Sequence, residues 1–116
     1  MSTVLVADDN RGFAELLRAL LEDAGHQVVT AYSGLAAIAA VEHQPVDAAV
    51  LDILIPEISG DAVAERLRQK LPGLPIALMT GHGADFAAGS GLPVLSKPFT
   101  KEELIETVDR LLTRKR

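Results

Sequence analysis

The chain has 116 residues, of which 48% are hydrophobic, and its formal net charge is −5 at pH 7. This length predicts one domain, residues 1–116, built around a single core. The lack of cysteine excludes disulfides and thiolate metal sites, and no apolar run reaches the roughly 20 residues of a membrane span. Basic residues cluster only at the last three positions, so we expect no binding to nucleic acid. The missing cysteine and membrane span lead us to expect a cytoplasmic protein that does not bind a membrane.

Five short apolar runs have the length and character of buried strands. The run Ala48–Leu51 shows no alternation of apolar and polar positions, which is typical of a parallel strand covered on both faces. We predict strands at Thr3–Ala7, Gln27–Ala31, Asp47–Leu51, Pro75–Met79 and Val94–Ser96.

Helical segments separate these runs, and capping residues or helix breakers mark their ends. The predicted ends are Asn10 and Gly25, Ser33 and about His43, Ser59 or Asp61 and Leu71-Pro72-Gly73, and, for the start of the last helix, the capping box of Thr100 with Glu103. The predicted inner faces are Phe13, Leu16, Leu17, Leu20 and Leu21 in the first helix, and Leu104, Ile105, Val108, Leu111 and Leu112 in the last.

The segment Gly81–Gly91 is the least regular part of the chain. Only Ala84–Ala88 favours a helical turn or two there, so we expect a short or irregular fourth helix. Strands that alternate with helices predict βαβ units with right-handed crossovers. The fold class is therefore α/β, with a doubly wound, five-stranded parallel sheet and helices on both faces.

Polar residues follow four of the predicted strands at their carboxyl ends. They are Asp8, Asp9, Asp52, Thr80 and Lys97. In an open α/β sheet, ligands bind outside these ends, where the strand order reverses. We therefore expect the scattered residues to form one cluster.

The chemistry of this cluster favours a cation and a phosphoryl group. Three neighbouring carboxylates repel one another unless a cation offsets their charge, and Mg²⁺ prefers oxygen ligands, with Mn²⁺ or Ca²⁺ as substitutes. A lysine and a hydroxyl suit the oxygens of a phosphoryl group. A carboxylate facing that group can attack phosphorus and form an acyl phosphate.

These residues, in this order and spacing, resemble the receiver domain of two-component response regulators. The matching motifs are Asp8-Asp9, the segment Asp52–Gly60, Thr80, and Lys97-Pro98-Phe99. The resemblance covers essentially the whole chain and implies a flavodoxin-like strand order, 2-1-3-4-5. The partner it implies is a histidine kinase or a histidine phosphotransfer protein.

The resemblance also implies a role for each site residue. Asp52 would accept phosphate from a phosphohistidine, Lys97 would contact the phosphoryl group, and Thr80 would move to hydrogen-bond it. The Lys97–Pro98 peptide bond would be cis, which is realistic only before proline.

A magnesium site is part of the same resemblance. Asp9 and Asp52 would bind Mg²⁺ directly, and Asp8 would help directly or through water. The backbone carbonyl of Leu54 would be a further ligand.

Three departures from the family pattern concern signalling, assembly and phosphoryl lifetime. Val94 stands where most members carry Tyr or Phe, which argues against signalling by an aromatic flip. The segment between Thr80 and Lys97 is short, which argues against a standard dimer through the fourth helix, so we expect a monomer or weak dimer. Leu54 and His82 occupy positions that tune phosphoryl lifetime, and an apolar Leu54 cannot orient a water, so we predict slow self-hydrolysis.

Three other functions compete with a phosphoacceptor. A pseudo-receiver that never takes phosphate would normally have lost an acid or the lysine. A flavodoxin-like flavin carrier needs a phosphate loop after the first strand, where this chain has Asp-Asp-Asn. A haloacid-dehalogenase-type phosphatase needs an Asp-x-Asp pair, which Asp52 does not begin. The shortened segment Gly91–Phe99 resembles that of receivers fused behind hybrid sensor kinases.

Overall fold

The computed structural model describes residues 2–81 and 91–114. Within these ranges, strands and helices alternate along the chain. The strands are β1 (Thr3–Ala7), β2 (Gln27–Ala31), β3 (Ala48–Asp52), β4 (Ile76–Thr80) and β5 (Val94–Ser96). The helices are α1 (Arg11–Asp23), α2 (Gly34–His43), α3 (Gly60–Lys70) and α4 (Lys101–Arg114).

All five strands pair in parallel, in the order β2-β1-β3-β4-β5, and the predicted fold class and strand order are confirmed. The chain leaves β1 for β2 on one side and later crosses to β3 on the other. The strand order therefore reverses between β1 and β3. This is where an open α/β sheet forms a crevice at its carboxyl edge.

Each face of the sheet is covered by two helices. Leu5, Ala49 and Leu51 point to the side where α2 and α3 contribute Ala37, Val63 and Leu67. Val4, Val6 and Val50 point to the opposite side, where α1 and α4 contribute Leu17, Leu21, Leu104 and Val108. Because both faces are buried, the central strands β3 and β4 are buried at every residue and are apolar up to their last residues, Asp52 and Thr80, without the alternation of half-exposed strands.

Several predicted helix caps are confirmed. Asn10 and Ser33 accept the amide N–H groups of Phe13 and Ala36 through their side chains. Thr100 and Glu103 form the reciprocal bonds of a capping box at 2.8 and 3.0 Å. Gly25 follows α1 with a φ of 99°, a left-handed conformation that suits glycine.

Predictions for three single residues are wrong. Pro75 does not begin β4, which starts at Ile76. Leu16 is 53% exposed, whereas Ala14 is fully buried on α1. Asp47 does not begin β3, which starts at Ala48. The Asp47 backbone N–H donates to the Thr3 carbonyl at 2.7 Å, and its Oδ2 accepts the Thr3 N–H at 2.8 Å. Asp47 thus holds the start of β1 instead of extending the ladder.

The fourth helix predicted between β4 and β5 lies outside the described residues, as does His82. Helix α4 is accordingly the one that follows β5. None of the helices within residues 2–81 and 91–114 combines the length and apolar character that crossing a bilayer requires.

Candidate functional site

The predicted site residues lie along the carboxyl edge of the sheet. Asp8 directly follows β1, Asp52 ends β3, and Thr80 ends β4. In the parallel register, Asp52 is paired with Met79 and Thr80 with Ser96. Lys97 follows Ser96, and its backbone N–H donates to the Thr80 carbonyl at 2.8 Å. Four strands therefore deliver these residues to one edge, as the sequence predicts.

Three carboxylates meet at the reversal of strand order. Asp8, Asp9 and Asp52 each offer an oxygen, and these oxygens lie within 4.8 Å of one another. Asp8 is 1% exposed and Asp52 is 7% exposed, whereas Asp9 is open to solvent. Two negative charges are therefore held where water stabilises them poorly, and the third faces outward.

Lys97 joins the two buried acids. Its Nζ donates to Asp8 Oδ2 and to Asp52 Oδ2, each at 2.8 Å. The side chain reaches the cluster from across the crevice and is about a quarter exposed. The predicted convergence of Lys97 with Asp52 and the Asp8-Asp9 pair is thus present in the structure.

Backbone N–H groups hold the other oxygens of the same acids. The Asn10 N–H donates to Asp8 Oδ1 at 2.9 Å, and the Leu54 N–H donates to Asp52 Oδ1 at 3.0 Å. Both bonds connect residues two positions apart, so each aspartate orders the turn that follows its strand. The carboxylates are thereby fixed in orientation before any ligand binds.

Burial and hydrogen bonding act in opposite directions on the pKa values of Asp8 and Lys97. Burial raises the pKa of Asp8, although hydrogen bonds from Lys97 and from the Asn10 backbone favour its charged form. Burial disfavours the Lys97 ammonium, but its hydrogen bonds to Asp52 and Asp8 outweigh this and raise its pKa. Lys97 therefore stays charged beside Asp8 and Asp52, and Asp8 binds its proton more tightly than a free aspartate does because its pKa is raised.

The donor set fits a hard divalent cation. Three carboxylates supply oxygen ligands only, as Mg²⁺ prefers, and their repulsion is relieved by added positive charge. The exposed Asp9 leaves one side of the cluster open to water, which Mg²⁺ usually retains. The residues present are therefore suitable for magnesium.

The loop after Asp52 is fixed by close main-chain contacts. A Cβ on Gly60 would lie 2.1 Å from the Asp52 carbonyl oxygen, so only glycine fits at the start of α3. The first residue of α2 makes a similar contact with this loop, since a Cβ on Gly34 would lie 2.2 Å from the Ile58 carbonyl oxygen. Within the loop, Glu57 has a φ of 74°, and the Ile58 N–H donates to the Pro56 carbonyl at 2.9 Å in a tight turn.

Other predicted features lie in or beside the site. The Lys97–Pro98 bond is cis, as predicted. Thr80 is buried with 2% exposure, and Leu54 is 51% exposed. Val94 is half-buried on β5, next to the core face that carries Leu78.

Two residues that contact the cluster are not among the site residues that the sequence predicts. Asn10 is predicted only as a helix cap, yet its backbone also binds Asp8. Phe13 is predicted only as a core residue, yet its ring face lies 4.6 Å from Lys97 Nζ. The short distance from Asp8 to Asn10 along the chain could have indicated the first contact, but the second depends on how α1 packs against the loop after β5.

The sequence matches a known protein family and several curated proteins. The family profile described as "Response regulator receiver domain" matches residues 4–109. The chain is 40% identical over 117 residues to "Probable transcriptional regulatory protein TcrX" of Mycobacterium tuberculosis, covering 97% of this chain and 50% of that protein. It is 33% identical over 116 residues to "Alkaline phosphatase synthesis transcriptional regulatory protein PhoP" of Bacillus subtilis, covering 96% and 48%.

Solved structures give the same result. A response regulator receiver domain protein from Clostridium thermocellum superposes with a TM-score of 0.91 at 25% identity, covering 99% of this chain and 97% of that chain. The chain spans about half the length of the curated relatives it matches.

Proposed function

The chain belongs to the response regulator receiver family, and we propose that Asp52 is the residue through which it receives a phosphoryl group. Receiver domains of response regulators interact with histidine kinases and act in signal transduction. The donor proposed for this chain is a phosphohistidine on such a kinase or on a histidine phosphotransfer protein. The observation that carries the proposal is the arrangement of Asp52, whose two oxygens are held by Lys97 and by the Leu54 N–H beside two further acids.

In the proposed reaction, a carboxylate oxygen of Asp52 attacks the phosphorus of the phosphohistidine. An O–P bond forms, the P–N bond breaks, and its electron pair stays on the imidazole, which then takes a proton from solvent. The product on this chain is an aspartyl phosphate. The chain thus catalyses its own phosphorylation, without being an enzyme that acts on a separate substrate.

Lys97 and Thr80 are proposed to bind the transferred group. The ammonium of Lys97 already lies 2.8 Å from Asp52 Oδ2, so a small movement would direct N–H donors to phosphoryl oxygens. Thr80 lies on the neighbouring strand at the same edge and would donate its hydroxyl. Such donors stabilise charge that develops on the phosphoryl oxygens during transfer.

Asp8, Asp9, Asp52 and the backbone carbonyl of Leu54 are proposed to hold Mg²⁺. Receiver domains bind Mg²⁺ at an acidic pocket, and the three carboxylates here form such a cluster. When bound, the ion supplies positive charge that offsets the carboxylates and the phosphoryl oxygens.

We propose that residues 1–116 act as one domain, which meets its phosphodonor in the cytoplasm as a monomer or weak dimer. Its own surface would contact proteins and not nucleic acid, and the signal would leave by altered protein contacts or by relay of the phosphate. Nothing in the described residues favours a pseudo-receiver, since Lys97 and the three acids are all in contact range of the cluster.

The test is covalent labelling. The protein is incubated with Mg²⁺ and a small acyl-phosphate donor, and the added mass is located by mass spectrometry. We expect one phosphate on the wild type, none on Asp52→Asn, and an unchanged result for Asp61→Asn, an exposed acid in the first turn of α3. An unlabelled wild type, or a labelled Asp52→Asn protein, would contradict the proposal.

A further inference from the structure

Phe13 makes an unusual contact for a residue that borders a hydrophobic core. Lys97 Nζ lies over its ring, 4.6 Å from the ring centroid. The Phe99 ring packs against Phe13 edge to face, with centroids 5.8 Å apart and planes at 69°. Both rings also border the apolar cluster between α1, α4 and the sheet. Phe13 therefore has one side in the core and its face toward the charged cluster.

We propose that Phe13 is a positioning residue that holds the Lys97 ammonium in place between Asp8 and Asp52. The inference rests on the proposed function of Lys97 as a ligand of the phosphoryl group. It adds a determinant that belongs to α1 and not to the acidic cluster itself.

The physical basis is the electrostatic potential of the aromatic ring. The face of a benzene ring carries partial negative charge and attracts an ammonium within about 6 Å. It does this without a proton-accepting oxygen, so it does not add a fourth carboxylate-like group to the site. A leucine would fill similar space but would leave the flexible four-carbon stem of Lys97 without this attraction.

The position of the ring is tied to the position of Asp8. The Asn10 backbone N–H donates to Asp8 Oδ1 at 2.9 Å, and the Asn10 side chain accepts the Phe13 N–H at 3.0 Å. Lys97 connects the two, since its Nζ contacts both the Phe13 ring and Asp8 Oδ2. The segment from Asp8 to Phe13 therefore positions both the carboxylate and the ring that contact the ammonium.

Phe99 packs against the same ring edge to face. It follows Lys97 by two residues, across the cis peptide bond, so the segment that carries the lysine also carries a ring that packs on Phe13. A change of register in this segment would move the ammonium and the supporting ring together. The arrangement restricts Lys97 to one place over the two buried acids.

The first arm of the test is spectroscopic and needs neither Mg²⁺ nor a phosphodonor. Protons above an aromatic face are shifted upfield by its ring current, so the Lys97 ε-methylene protons should be upfield in NMR spectra of the wild type. We expect the shift to be kept in Phe13→Tyr and lost in Phe13→Leu. An ordinary chemical shift in the folded wild type would overturn the inference, whether or not the protein accepts phosphate.

The second arm measures the phosphorylation rate with a small acyl-phosphate donor and the Mg²⁺ affinity. Phe13→Leu should slow phosphorylation by about two- to tenfold, as expected for loss of one cation–π contact, while the Mg²⁺ dissociation constant changes less than about twofold. Phe13→Tyr should restore the rate. Tyr32→Leu is the matched control, because it removes another aromatic–cation pair, with Arg11 at 4.2 Å, without contact to Lys97.

The outcomes separate the two proposals. A Phe13→Leu protein that phosphorylates at the wild-type rate, or a Tyr32→Leu protein that is slowed equally, would overturn the positioning role. If Phe13→Leu does not fold, Phe13→Met replaces it, since methionine fills the site without a ring. If the wild type takes no phosphate at all, the proposed function fails. The NMR measurement still decides whether Phe13 holds Lys97.

Discussion

The contact between Gly60 and the Asp52 backbone offers a stringent test of how the site is built. Substitution of Gly60 by alanine would place a methyl carbon 2.1 Å from the Asp52 carbonyl oxygen, 2.7 Å from its carbonyl carbon and 2.9 Å from the Ile53 Cα. All three are main-chain atoms that cannot rotate away. Either the start of α3 or the end of β3 has to move.

The magnitude depends on two opposing effects. Overpacking of a well-packed site costs about 1–3 kcal/mol. Replacing glycine by alanine in a helix returns at most about 1 kcal/mol. Because the contacted atoms belong to the main chain, the upper end of that overpacking cost applies, about 3 kcal/mol less about 1 kcal/mol. We therefore expect the free energy of unfolding to fall by about 2 kcal/mol, which corresponds to a loss of about 8 °C in Tm for a domain of this size.

Urea denaturation followed by circular dichroism measures this loss. Gly12→Ala is the matched control, because Gly12 also lies in the first turn of a helix but its Cβ would sit 3.5 Å from Asn10 Oδ1, an ordinary contact. That variant should be as stable as the wild type or slightly more so. A Gly60→Ala protein within about 0.5 kcal/mol of the wild type would refute the close approach, since surface changes alone stay within that range.

Three further predictions concern the cation, pH and phosphoryl lifetime. Mg²⁺ at about 100 times its dissociation constant should raise the free energy of unfolding by about 2.7 kcal/mol, and Asp9→Asn should remove most of this gain in thermal melts. Burial raises the pKa of Asp8 above 3.8, so the folded state binds that proton more tightly than the unfolded state does. Without Mg²⁺, stability should therefore fall as pH rises from 3.8 through the folded pKa, and Asp8→Asn should be more stable than the wild type at pH 7; equal or lower stability would contradict this. Leu54→Asn should release phosphate severalfold faster than the wild type in a phosphate-release assay, because an amide can orient a water where the exposed leucine cannot; rapid loss from the wild type would contradict the reasoning.

Much of the fold could be predicted because its signals are local. Buried parallel strands leave continuous apolar runs, and caps such as Asn10 and Ser33 act within three residues of themselves. The family that the motifs resemble, the strand order and the convergence of Lys97 with Asp52 were all predicted correctly. The convergence could be predicted because a parallel sheet brings every strand's carboxyl end to one edge.

The errors have a common physical cause in contacts between distant segments. Asp47 resembles the first residue of a strand, but its side chain binds the Thr3 N–H, 44 residues away. Leu16 fits the helical period, yet the stripe that α1 buries runs through Ala14, Leu17 and Leu21, and leaves Leu16 in solvent. Local periodicity identifies a helix more reliably than it identifies the edge of the helix's buried face.

The Phe13–Lys97 contact could not be predicted for a similar reason. Apolar spacing on α1 places Phe13 near the core, but the position of its ring relative to Lys97 depends on how two segments far apart in the chain pack together. The same holds for the distance between Gly60 and the Asp52 carbonyl, which no local pattern of residues encodes.

The contact at Gly34 gives the loop after Asp52 a mechanical connection to a second helix. The Gly34 N–H donates to the Pro56 carbonyl at 3.0 Å, and the first turn of α2 rests directly on the main chain at Ile58. With no side chain between them to absorb a displacement, the loop and α2 must shift together or separate. Any displacement of the loop after Asp52 would therefore reach α2 through main-chain contacts alone, without an aromatic side chain at position 94.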